Sequence, residues 1–283
     1  MAPELTRNLK LTIEYDGTSF HGFKEQENVR TVEGVFSRAL ESLLRERVEL
    51  HAASRTDQGV HARGQVVSFP TTSPIPSGRL PTALNGILPG DVRVRRAEEV
   101  DPAFNARFSA VGKHYRYLLD RGEAESPFLT RYTLHCPGPL DVKSMREAGG
   151  LLVGDHDFAA FQCASKRRLA TTVRTVYAVR VEEEGRFLWF DVWGRSFLYK
   201  MVRTLVGTLL EVGRGKWTPQ RVESALSSGS RASAGPTCPG HGLFLMAVYY
   251  DPVSLEGALE RRPPGPQWMP FVPGPSAERL GGE

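Results

Sequence analysis

Residues 52–69 read AASRTDQGVHARGQVVSF. Apolar, strand-like sequence on either side encloses a short polar cluster: Arg55, Thr56, Asp57, Gly59 and His61. Turn chemistry accounts for an Asp next to a Gly without any function. Three features of the same stretch point further. Arg55 is close enough to pair with Asp57 or to reach a phosphate, His61 follows the glycine, and two flanking strands would hold the loop as rigidly as a site requires. A guanidinium beside a carboxylate favours the charged form, which suits a nucleophile or base better than an acid.

Around this stretch the chain alternates short strands and amphipathic helices. Residues 9–15 (LKLTIEY) alternate apolar and polar side chains as a half-buried strand does. A helix is expected from Thr31 as N-cap, because Val32, Val35, Phe36, Ala39, Leu40, Leu43 and Leu44 form one apolar stripe. Strands are expected at 48–53 and 65–69, a short helix near Ala83 and a strand at 92–96. After residues 101–113 the pattern restarts with strand 114–120, helix 141–152, and strands 173–181 and 187–192. An apolar helix follows at 197–212, then a helix opened by Thr218 as N-cap with Pro219 and closed at Gly229, and a last strand at 243–250. Strands mixed with packed helices in each half give an α+β expectation; no residue-level repeat relates the halves. The tail from Pro252 holds PPGP and PGP without periodicity and reads as mobile.

Composition sets outer limits. The 283 residues are 40% hydrophobic and 24% charged, normal for a folded protein of two ordinary domains. A net charge of +4 is compatible with a polyanionic partner without requiring one. Cys136, Cys163 and Cys238 form no CxxC pair, so neither a zinc knuckle nor a disulfide framework is indicated. His61 and the GDHD stretch at 154–157 lack a second ligand set, so no metal is expected. No apolar run of about 18 residues appears, and a cytoplasmic protein without a membrane segment is expected.

ASRTDQGVHARGQVVSF resembles the signature of the tRNA pseudouridine synthases of the TruA type, centred on Arg-Thr-Asp-x-Gly-Val-His-Ala. YDGTSFHGFKEQ (15–26), RTVEGVFSRAL (30–40), ALNGILPGDVRV (83–94), FNARFSAVGKHYRYLL (104–119), GDHDFAAF (154–161), FLYKMVRTLVGTLLEVG (197–213) and AGPTCPGHGLFLMAVYY (234–250) resemble the same family in the same order. Two departures are visible: Ser54 stands where the family usually has Gly, and Phe23-Lys24 where it often has Trp-Gln.

The resemblance implies two ferredoxin-like (RRM-like) domains with antiparallel sheets and packed helices, at 1–105 and 106–251, with the catalytic cleft between them; the Pro-rich tail at 252–283 is an addition to that pattern. It implies a cofactor-free isomerase and a homodimer acting on tRNA, converting uridines 38 to 40 of the anticodon arm after base flipping. Asp57 matches the family's catalytic aspartate, Tyr115 an active-site tyrosine that stacks on the target base, and Arg203 a basic residue paired with the aspartate. Arg55 matches an arginine implicated in displacing the target nucleotide. Phe104, Asn105, Arg107 and Phe108 resemble an RNA-contacting connector, and Lys166, Arg167 and Arg168 fall where the family places further tRNA contacts. From the residues alone, Arg203 needs a partner, since an unpaired cation on an otherwise apolar helix costs several kcal/mol. That independent reasoning also aims it at Asp57.

Overall fold

The computed structural model describes residues 6–164 and 170–267. Its strands are β1 (Arg7–Tyr15), β2 (His51–Ala52), β3 (His61–Thr71), β4 (Val92–Val100), β5 (Gly112–Asp120), β6 (Leu134–His135), β7 (Gly154–Asp157), β8 (Val173–Glu184), β9 (Phe187–Gly194) and β10 (Leu243–Tyr249). The helices are α1 (Val32–Leu44), α2 (Leu80–Ile87), α3 (Val142–Gly150), α4 (Met201–Gly213), α5 (Arg221–Ser228) and α6 (Pro252–Glu260).

The architecture is α+β around one mixed sheet of ten strands in the order β4-β1-β3-β10-β5-β9-β8-β7, with β2 added to β3 and β6 to β5. In the first half the strands lie β4-β1-β3-β2, with α1 after β1 and α2 after β3; in the second they lie β10-β5-β9-β8, with α3 after β5 and α4 and α5 after β9. The two halves therefore repeat one strand order. They join where β10 runs parallel to β3 over two residue pairs, Phe244 with His61 and Leu245 with Ala62. On its other side β10 is antiparallel to β5.

Local chemistry explains most element boundaries. Thr31 Oγ1 accepts the Gly34 N–H at 3.3 Å and starts α1, as its sequence suggests. Helix α4 begins four residues later than the apolar pattern indicates. Lys200 adopts a left-handed φ of 60°, so 197–199 turn away before the helix starts. Thr218 does not cap α5: its carbonyl and that of Pro219 accept the N–H groups of Arg221 and Val222 in a preceding turn, whereas Gly229 ends the helix as expected. The Pro-rich tail opens with α6. Asp251 Oδ1 accepts the Ser254 N–H at 2.7 Å, Pro252 occupies the first turn, and Leu255 packs on Gly112. Residues 268–283 lie outside the described residues.

Every residue of β5 is buried, because both faces of the sheet are covered there. Tyr115 and Tyr117 point to the helix-covered face, and the alternate residues His114 and Arg116 to the other. On that second face Asp191 is fully buried and accepts both Arg116 Nε and Nη2 at 2.8 Å and His114 Nε2–H at 2.6 Å. Arg116 Nη1 donates to the Pro264 carbonyl, so the chain beyond α6 closes over the cluster. Burial opposes the Asp191 charge, but the hydrogen bonds of His114 and Arg116 outweigh it and hold the carboxyl below its ordinary range. Burial dominates for His114, keeping its imidazole below the usual value and neutral at pH 7. Among the described residues, no helix is long and apolar enough to cross a membrane.

Asp191→Ala leaves two donors, one of them a cation, without an acceptor, and the expected loss is about 3–5 kcal/mol, read from urea unfolding. A carboxyl depressed in the folded state stabilises above its unfolded value of about 4, and that contribution disappears as the pH falls. Wild type and variant are thus expected to converge in acid.

Candidate active site

The loop between β2 and β3 is fastened from below before its carboxylate is presented. Gln65, fully buried on β3, donates Nε2 to the Ser54 carbonyl at 2.7 Å and accepts the Ser54 N–H at 3.3 Å. Thr56 is buried, with Oγ1 2.8 Å from the Tyr15 hydroxyl and its carbonyl accepting the Phe23 N–H at 3.0 Å. The Val60 N–H donates to the Asp57 carbonyl at 3.1 Å, closing a turn in which Gly59 has a φ of +74°. A second segment braces the turn so closely that a Cβ on Gly240 would sit 2.4 Å from the Gln58 carbonyl oxygen.

Held this way, the Asp57 side chain is 19% exposed and meets Arg203 of α4, itself 12% exposed: Nη1 donates to Oδ2 at 2.9 Å. Arg203 Nε donates to the Cys238 carbonyl at 2.6 Å. The cation expected to need a partner has two, and both come from distant sequence. Surface pairs contribute about 0–1 kcal/mol, and breaking a fully buried pair costs about 3–5 kcal/mol; this shielded pair lies between those limits.

Tyr115 stands beside the pair. Its hydroxyl is 2.7 Å from Ser54 Oγ, and its ring meets Phe197 edge-on at 5.3 Å. Burial pushes the phenol up to about 12, the Asp57 charge adds to that rise, and the Ser54 hydrogen bond opposes it. The phenol is therefore neutral at working pH and can donate a proton in a hydrogen bond. Ser54, the departure from the usual Gly, is thus the residue that positions the Tyr115 hydroxyl. Tyr117, next on the same face, is fully buried core and donates to the Pro239 carbonyl at 2.9 Å.

These groups open into a cleft of about 900 Å³, within the roughly 300–1,000 Å³ of pockets that enclose small ligands. Seven lysines and arginines line it against two carboxylates, Glu33 and Asp57. Arg55, exposed, is on its wall, as are Asn105, Arg107 and Phe108 of the connector. Asn105 Oδ1 accepts the Arg107 and Phe108 N–H groups and shapes that turn, leaving Phe108 77% exposed. Phe104, expected alongside them, does not line the cleft. It packs on Tyr250 at 4.9 Å under the Lys10 ammonium. Lys166, Arg167 and Arg168 lie outside the described residues; Arg174, beyond them, lines the cleft.

His61 is structural. It is 1% exposed, accepts the Gly17 N–H at Nδ1, donates from Nε2 to the Arg131 and His241 carbonyls, and stacks on Phe244 at 4.6 Å. Among the described residues, no group of three His, Cys, Asp or Glu side chains could hold a metal. Sequence reasoning missed Gln65, Phe197 and Lys113. Only Lys113 had a usable signal: it shares the period-two face of Tyr115.

The tRNA pseudouridine synthase family model matches residues 11–109 and 148–251. The tRNA pseudouridine synthase A of Acetivibrio thermocellus is 46% identical over 244 residues, covering 86% of this chain and all of that protein. The Bacillus subtilis protein of the same name is 45% identical over 245 residues, covering 86% and 99%. Among solved structures, an archaeal box H/ACA sRNP Nop10–Cbf5 complex aligns over 71% of this chain and 43% of that one, at 14% identity and a TM-score of 0.33. These matches make the chain an enzyme of the isomerase class. The chain is a member of the tRNA pseudouridine synthase family, of the synthase A (TruA) type.

Gly240→Ala forces the loop carrying Asp57 to shift. A displacement of about 1 Å at a reacting group costs about 100-fold in rate, and pseudouridine formation is expected to fall by that order. Gly86→Ala, where nothing lies within 4 Å of the added carbon, leaves it unchanged.

Proposed function

We propose that this chain isomerises uridine to pseudouridine in the anticodon arm of tRNA, at positions 38 to 40, with Asp57 as the reacting carboxylate and Arg203 as its partner. The observation that carries the proposal is the Asp57–Arg203 pair, next to the Tyr115 hydroxyl, in a cleft whose cations outnumber its carboxylates.

The chemistry matches these groups. The N1–C1′ bond breaks, the uracil ring turns, C5 joins C1′, C5 loses its proton and N1 gains one. Nothing is oxidised or reduced, so side chains suffice. Addition of Asp57 to C1′, addition to C6, and passage through a glycal all begin from the same charged oxygen. Arg203 fixes its direction. Tyr115, 5% exposed on the cleft wall, is the ring on which the extruded base stacks, worth about 1–3 kcal/mol, and Arg55 at the mouth fills the vacated stack. The excess of cations favours a phosphate backbone and makes binding fall with salt.

The same reading includes two ferredoxin-like domains at 1–105 and 106–251, supported by the repeated strand order. It includes a homodimer gripping one tRNA, supported by family membership, and action in the cytoplasm, where such a substrate is met.

A tRNA-binding protein without catalysis would keep the cations and have no use for a carboxylate among them. Release of tritium from tRNA transcript carrying 5-tritiated uridine separates the two. Wild type releases tritium; Asp57→Asn slows release by at least about 10⁴-fold while binding is largely kept. Retained turnover in Asp57→Asn overturns the assignment.

Arg203→Ala is expected to lower kcat by about 100-fold or more, the scale of losing one oriented charge contact. An unaffected variant removes Arg203 from the reaction.

A further inference from the structure

Lys113 is 8% exposed, yet it lies on the cleft wall and makes no hydrogen bond or ion pair with any other described residue. Among the described residues, no carboxylate forms an ion pair with it. The charged group bearing on it is another cation, Arg107. Burial, reinforced by that guanidinium, pulls the ammonium down to about 8. An isolated buried ammonium is costly and is normally paired. Here no such partner stands among the described residues.

The position supplies the reason. Lys113 and Tyr115 are alternate residues of β5, so both side chains leave the same face, about 6.6 Å apart along the strand. A nucleotide whose base occupies Tyr115 has its own sugar–phosphate within that reach. Arg107 comes from the connector turn shaped by Asn105, with its guanidinium 5.2 Å from the Phe108 ring at the cleft rim. The neutral oxygens of uracil would leave Lys113 uncompensated, whereas a phosphodiester carries a negative charge and accepts from Lys113 and from the Arg107 guanidinium at the rim.

We propose that Lys113 and Arg107 form a phosphate subsite that holds the backbone phosphate next to the flipped uridine, Lys113 being a positioning residue rather than a catalytic one. The inference rests on the proposed tRNA substrate. Substrate binding completes the ion pair that folding leaves open. Part of the desolvation cost of Lys113 is then already met before RNA arrives.

The test uses full-length protein and unmodified tRNA transcript, with Lys113→Met, which keeps the stem and removes the charge, and Lys113→Arg, which keeps the charge. Lys113→Met is expected to melt at or above the wild-type temperature, since it deletes an unpaired buried cation. It is expected to raise KM about tenfold with kcat within twofold, and to flatten the slope of log affinity against log salt by about one phosphate contact. Lys113→Arg is expected to keep the wild-type slope. An unchanged slope in Lys113→Met overturns the subsite. A lower melting temperature or failure to fold also overturns it, by showing that the ammonium has a structural partner within the protein. Absence of pseudouridine formation by wild type would instead overturn the proposed function, so the two failures are distinguishable.

Discussion

The contact between Arg203 Nη1 and Asp57 Oδ2 joins residues separated by 146 positions, and the arrangement of the molecule follows from keeping it at 2.9 Å. Arg203 is carried by a helix that is otherwise almost entirely buried, so it has little freedom to move without moving the core of the second half. Asp57 is carried by a loop pinned at the Ser54 backbone by Gln65 and at the Thr56 hydroxyl by Tyr15, both from the first half. Strand β10 lies between the two sources, bonded to β3 on one side and β5 on the other. A slip of the halves would part the pair, leaving one charge shielded from water and uncompensated.

The two faces of β5 handle charge in opposite ways. On the face away from the cleft, Arg116, His114 and Asp191 satisfy one another, and Arg186 is paired with Asp120. That face is electrically complete without a ligand. On the cleft face, Lys113 and its neighbours present cations in excess of carboxylates. A strand with complete burial on both sides thus separates a charge network satisfied within the protein from the cations of the cleft wall by the alternation of its side chains alone.

Much of the local structure was legible because it depends on nearest neighbours. The Thr31 cap, the stripe of α1 and the alternation of β1 need only residues a few positions apart. The late start of α4 was hidden because the apolar run 197–212 serves two purposes: 197–199 face the cleft, and the helix begins after Lys200 turns left-handed. Helix α6 was overlooked although Asp251-Pro252 is a cap followed by a first-turn proline. The Pro and Gly content further along dominated the reading of the whole segment. Phe104 and Phe108 looked equivalent in FNARF, yet one packs on Tyr250 and the other stands in solvent, because the Asn105 turn sends them apart.

Residue order alone was enough for most element types, though not for α6, β6 or β7, and for the loop with Asp57 and the resemblance that names the chemistry, since these are carried by short-range pattern and by residue identity. It also required that Arg203 find an anion. The tertiary structure alone decided that the two halves share one sheet and one strand order without a repeat in residues, because pairing order is set by long-range hydrogen bonds. It alone made Ser54 the holder of Tyr115, His61 a packed core group and Lys113 a buried charge without a partner among the described residues. Solvation and partnership belong to the three-dimensional surroundings of a side chain, and nothing in the order of residues states them.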